Sequence, residues 1–187
     1  MSNPKATPDD SAKQKTASKD KKPGGPVYTG YDQEYFLALE DLLQAVRVLD
    51  QEGFFLEDIS CLDIQEGYLV VYRFNRFEQP GRVGLRVIAD RDDPHVPSIW
   101  DIYPGAAWHE RECFDFFGIR FRGHPNLIPL LLDPEHKGPP PLLKDESNRK
   151  ALAEILPDRD VSPVSPQSRE FRQQILDCSI QDHRKQS

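Results

Sequence analysis

No apolar run in these 187 residues approaches the ~20 needed to span a bilayer, and mean hydropathy is −0.64. A role at a membrane would therefore have to come through partners. Cysteine is scarce as well. Cys61, Cys113 and Cys178 lie far apart with no CxxC, which argues against an iron–sulfur cluster or zinc ribbon built from this chain alone and fits a reducing compartment. No GxGxxG or P-loop string occurs, so there is no visible means of holding a dinucleotide or a nucleoside triphosphate. A basic excess is missing too: the formal net charge is −7, without the footprint of a nucleic-acid binder.

What positive charge clusters early lies in residues 1–27, a stretch of Lys, Ser, Asp and Pro with almost nothing to bury. Such a stretch cannot offset its ordering entropy and is expected to be a disordered tail. It has no apolar core for a signal peptide, and its acidic residues and lack of arginine argue against a transit peptide. An α+β domain is expected over 28–125. Tyr35, Leu39, Leu42, Val46 and Leu49 recur at helical steps, which predicts an amphipathic helix from Asp32 to Glu52 closed by a left-handed Gly53. Strands are predicted over Phe54 to Leu62, Tyr68 to Phe74 and Arg82 to Ala89. The last two form a hairpin whose arginines, Arg73, Arg82 and Arg86, mark a wet docking face. A short helix is expected between Gly105 and Gly118, then a brief strand over Ile119 to Phe121. Nine of the 17 prolines fall between Pro125 and Pro166, so 126–187 reads as an extended proline-rich arm. Short helices are expected within it at Asn148 to Leu156 and Ser168 to Ile180, the second offering Phe171, Ile175 and Leu176 to a surface. The fold expected is thus a small, mostly antiparallel sheet packed by two or three helices and followed by that arm.

The densest stretch is WHERECFDFFGIRFRGHP, Trp108 to Pro125. On a helix, Arg111 and Asp115 are four apart and able to pair, as are Trp108 and Glu112. Charges among so many aromatics are expected to be partly buried, and buried charges must be paired or hydrogen-bonded. A hard-cation hydrolase site from His109, Glu110, Glu112 and Asp115 is the rival reading. However, HERE is not HExxH, and neighbouring residues point about 100° apart on a helix. His124 suits either a proton relay or the capping of a turn after Gly123.

The order ERE, two residues, Asp115, two apolar residues, six residues and His124 resembles the signature of the hydrophilic C-type subunit family of complex I, the proton-pumping NADH:quinone oxidoreductase. Upstream, Asp92-Asp93-Pro94-His95-Val96-Pro97-Ser98 and the run from Asp101 to Trp108 are similar to that family. So is Pro141-Leu142-Leu143-Lys144-Asp145 downstream. Ile128-Pro129 stands where the family usually has two arginines. The resemblance implies a scaffold subunit with no catalytic, cofactor-binding or metal-binding residue of its own. It would dock through Glu110, Arg111, Glu112, Asp115, Gly118, His124 and Pro125 as an ion-pair lattice. The implied partners are the quinone-site large subunit, a relative of the hydrogenase large subunit, and iron–sulfur subunits. Iron–sulfur clusters and FMN would sit in those partners. No nucleic acid is implied, and membrane contact would be indirect, on the cytoplasmic side of a bacterial or archaeal inner membrane. The same family serves membrane-bound [NiFe] hydrogenases and other donor:quinone complexes, so the resemblance leaves the electron donor open.

Overall fold

The computed structural model describes residues 33–77, 81–156, 170–171 and 173–174. The expected tail at 1–27 lies outside them, as do Ile175 and Leu176. The architecture is α+β. Strands β1 (Gln33–Phe36), β2 (Phe55–Ile64), β3 (Gly67–Asn75) and β4 (Val83–Ala89) form a sheet in the order β1-β4-β3-β2. The β2–β3 and β3–β4 pairs are antiparallel, and β1 joins the β4 edge in parallel. Helices α1 (Leu42–Gln51) and α2 (Ala106–Phe117) contribute to the core on one sheet face. A separate two-stranded parallel ribbon joins β5 (His95–Pro97) to β6 (Arg120–Arg122).

The long first helix does not form. Its opening turns are replaced by β1 and a 3-10 turn at Leu39–Asp41, and the helix proper begins at Leu42. Helical periodicity at Tyr35 and Leu39 lost to a stronger option. As a strand, this segment pairs its backbone with β4, buries Phe36, and seats Glu34 against Arg86 at 2.7 Å. The second half behaves as its pattern demands: Leu42, Val46 and Leu49 are buried, and Gly53 ends the helix at φ 75°.

Alternation along β3 sorts two cores. Tyr68, Val70, Tyr72 and Phe74 face the helices, together with Val83, Leu85 and Val87 of β4. Leu69 and Val71 point the other way, joining Phe36, Ile64 and Leu152. Each such fully buried aliphatic or aromatic side chain contributes about 1.5–3 kcal/mol. The hairpin therefore has no wet face, contrary to its arginine pattern. Arg86 is only 6% exposed, and Leu152 of the short helix α3 (Leu152–Ile155) covers this side, with Ile155 and Leu156 packed against the cluster. Arg73 pairs with Asp58 at 2.6 Å and Arg82 with Glu57 at 3.2 Å, so the three arginines serve internal ion pairs.

Strand β5 was not among the strands predicted, and prolines stand at 94 and 97. It survives beside β6 because Arg120 N–H donates to Pro94 O at 2.7 Å and Ser98 N–H to Arg122 O at 2.8 Å. Residues 126–150 run as turns, with one 3-10 turn at Glu146–Asn148, and fold back on the domain. The helix expected from Asn148 shrinks to α3. Of the later one, 170, 171, 173 and 174 are helical, and Phe171 is turned inward, stacked on Tyr35 with ring centroids 3.9 Å apart. Among the described residues, no helix is long and apolar enough to cross a membrane.

Candidate functional site: the α2 seam and the Asp63 knot

Helix α2 lies between Gly105 and Gly118 as the glycines predict. Gly118 closes it at φ 75°, with its N–H donating to Phe114 O at 2.9 Å. A side chain there would be strained by that φ and crowded by Pro140 at 3.3 Å. Along this helix three of the four charged signature residues take different sets of partners, and Glu112 takes none among the described residues.

Glu110 is fully buried. Its Oε2 accepts from the Ser98 hydroxyl at 2.6 Å and its Oε1 from Ile99 N–H at 2.8 Å. Burial pushes its carboxyl up to about 7, with these two donors pulling the other way. Around it lie other buried polar groups. Burial, then the nearby Glu110 charge, raise the Tyr72 hydroxyl well above the usual tyrosine range, and burial and the Cys113 thiol raise Cys61. Arg111 turns outward: Nε donates to Ile128 O at 2.9 Å and Nη2 to Pro129 O at 2.7 Å, and the guanidinium lies over the Trp108 ring at 5.5 Å. Ile128 and Pro129 thus hold Arg111 with their backbone oxygens, which any side chain at those positions leaves in place.

Asp115 Oδ2 accepts three consecutive backbone N–H groups, from Leu130, Leu131 and Leu132, at 2.9, 2.7 and 3.1 Å. Three N–H groups converging on one oxygen form an anion-binding nest, and Asp115 fills it. His124 holds the turn below. Its Nδ1 accepts from Asn126 N–H at 3.0 Å, which leaves the proton on Nε2 to donate to Ala107 O at 3.1 Å. Pro125 is exposed in that turn, and Glu112 is exposed with no hydrogen bond or ion pair among the described residues.

Helix spacing allowed an Arg111–Asp115 pair, and this geometry does not form it. No ion pair joins Arg111 to Asp115 or to any other described carboxylate. The helix charges are satisfied mainly by backbone groups of 99 and 128–132 in the same chain. Spacing on a helix brings i and i+4 together, but loop amides that would otherwise be unsatisfied are stronger claimants. The cation-site grouping also comes apart, because Glu110 points into the core. Among the described residues no group of three His, Cys, Asp or Glu is placed to hold a metal ion.

Sequence reasoning missed a second knot. Asp63, fully buried at the end of β2, accepts from Arg91 Nη2 at 2.8 Å, Arg149 Nε at 3.3 Å and Lys144 N–H at 2.8 Å. Burial alone would raise its carboxyl; the Lys144 amide and the two guanidiniums overcome that and hold it below the usual carboxylate range. Beside it, Gln65 N–H donates to Lys150 O at 3.1 Å, and Leu152 N–H donates to Glu66 Oε1 at 2.9 Å. The stretch from Pro141 to Asp145 was the available signal: its Lys144 amide caps Asp63.

Residues 37–151, more than half of the chain, match the family described as respiratory-chain NADH dehydrogenase, 30 Kd subunit. The chain is 47% identical over 93 residues to the C subunit of the NADH-quinone oxidoreductase of Ruegeria pomeroyi, covering 48% of this chain and 46% of that one. It is 44% identical over 93 residues to the C/D subunit of the NADH-quinone oxidoreductase of Methylococcus capsulatus, covering 49% of this chain and 16% of that one. The chain thus spans about half the length of the first relative and a small part of the second. In fold it matches a chain of an archaeal membrane-bound sulfane sulfur reductase complex at TM-score 0.56 and 23% identity, over 71% of this chain and 81% of that one.

Proposed function

The chain belongs to the family of the 30 Kd subunit of respiratory-chain NADH dehydrogenase, and from that premise we propose that it is a non-catalytic scaffold in the peripheral arm of an NADH:quinone oxidoreductase. It docks on the quinone-site large subunit and holds the electron-transfer arm in register while electrons pass from NADH to quinone and protons are translocated. Flavin and iron–sulfur clusters reside in partner subunits, and this chain alone turns nothing over. The observation that carries the reading is the match over 37–151 to that family, whose signature segment is built here as a rigid, internally bonded helix and loop. Every buried signature carboxylate has a structural use in this chain, which suits a spacer better than a reaction site. The Methylococcus relative bears the C and D designations on one chain, which supports a sister subunit as an immediate neighbour. The assembly lies on the cytoplasmic face of the membrane.

The test is to isolate the tagged full chain with its native partners from detergent-solubilised membranes. Co-purifying flavin, iron–sulfur proteins and NADH:quinone reductase activity are expected, with none of that activity in the chain alone. Turnover by the chain alone, or purification without redox partners, would contradict the proposal. The fold also occurs in a complex named for a different reaction, so a co-purifying nickel-containing large subunit in place of flavin would reassign the chain to a hydrogenase-type complex.

A further inference from the structure

The internal bonding of the α2 seam leaves the Arg111 charge without a counter-ion among the described residues. Arg111 donates to two neutral carbonyl oxygens, and no described carboxylate lies within 4.0 Å of its guanidinium. Its Nη1 edge has no partner among the described residues. A guanidinium lying on an aromatic ring and fixed by two bonds has lost most of its rotamer freedom, so a third, bidentate-capable partner would be bound at little further entropic cost. The surroundings are unusual for a surface. Trp108 is 63% exposed, Leu131 65% and Ile128 50%, all three tied to the same helix through Arg111 and Asp115. Leu142, 50% exposed, lies at the C-terminal end of α2, where its N–H donates to Phe116 O at 3.1 Å. Trp and Arg at the centre of an apolar frame are the composition of a protein–protein hot spot.

We propose that this strip is the anchor by which the chain grips a sister subunit, and that Arg111 receives a carboxylate carried on an apolar segment of that partner. The inference rests on the scaffold reading and adds the chemistry of the contact. Charge decides between possible occupants. Glu112, exposed and unpaired among the described residues, lies four residues beyond Trp108 on the same side of the helix, so the face presents both signs side by side. An anionic lipid surface would be repelled at Glu112. A polypeptide can set an acid against Arg111 and a base against Glu112. A copy of this chain is disfavoured because each copy carries a net charge of −7.

The experiment uses the tagged full chain in its native assembly. Leu131→Glu puts a negative charge beside the expected carboxylate without touching the Leu131 N–H bond to Asp115. It should lower recovery of the sister subunits at least tenfold while the isolated variant melts like the wild type. Arg111→Lys retains the charge and supplies an amine. Carbodiimide treatment of the assembly should then join that amine to a partner carboxylate as an amide, the lost water converting the carbodiimide to its urea, and mass spectrometry locates the acid. A cross-link to a sister subunit supports the proposal. A cross-link to a second copy of this chain, or vesicle binding abolished by Trp108→Ala, overturns it. So does wild-type recovery of the Leu131→Glu assembly. If the wild-type chain brings down no redox partner at all, the scaffold reading fails first and the inference with it; an intact assembly indifferent to both variants sinks the inference alone.

Discussion

Two buried carboxylates, Glu110 in the α2 seam and Asp63 at the end of β2, are equally hidden from solvent and are pushed in opposite directions. Glu110 has a hydroxyl and one amide for company, and its proton affinity rises to about 7. Asp63 has two guanidiniums and an amide, and its affinity falls. For Glu110 burial outweighs the two neutral donors; for Asp63 the Lys144 amide together with the Arg91 and Arg149 guanidiniums outweighs burial. One carboxylate is a polar staple, able to lose its charge near neutral pH; the other is the centre of an ion cluster that must keep it.

The sharpest way to break this contrast is Asp63→Ala, which strands Arg91 and Arg149 with their charges uncompensated. Urea unfolding should show a loss of about 3 kcal/mol or more, with the 144–152 segment loosened first. Asp115→Ala comes next: three amides of the 130–132 nest lose their acceptor, and about 2–3 kcal/mol should go in the same assay. Glu110→Gln sharpens the comparison through pH. The folded-state affinity of Glu110 lies above its unfolded value of 4.5. Its stabilisation is therefore complete below pH 4.5 and lost as pH rises through about 7, so wild-type stability should fall across that window. The difference between wild type and variant should swing toward Gln by about 2–3 kcal/mol between pH 5 and 8 in thermal melts at matched ionic strength. Asp63 has the opposite sign: its contribution is present above its unfolded value and disappears only as pH falls through the lower folded one. The smallest effect belongs to Glu112→Ala. With no partner among the described residues it should change the stability of the isolated protein by less than about 0.5 kcal/mol, so any larger effect on assembly reports a contact with another subunit.

Much of the fold was legible where local rules act alone. Gly105 and Gly118 marked α2, the alternation of β3 and β4 marked their hairpin, and Gly53 marked the end of α1. Failures came where a distant segment changed the terms. Tyr35 and Leu39 carried helical spacing, yet β4 offered their segment a strand edge. Arg86 looked solvent-facing until α3 and Glu34 closed over it. Strand β5, with prolines at 94 and 97, was not predicted and forms because β6 supplies neighbouring backbone. At the site, the residues that matter on α2 could be named from sequence, but their partners could not. Arg111 and Asp115 are in reach of each other by spacing, whereas the 128–132 loop returns to them only because the chain reverses at Gly123 and His124. Asp63 had no local signal, since its cations stand 28 and 86 positions away.

The central claim is that the signature charges fold this chain before they serve any partner. Amide hydrogen exchange on the isolated chain at Ile99, Leu130, Leu131 and Leu132 tests it most directly. Slow exchange at all four in the free protein, lost at the last three in Asp115→Ala, is the expected result. Rapid exchange in the free chain, with protection gained only on joining the assembly, would mean that the seam is completed by another subunit and would contradict the account.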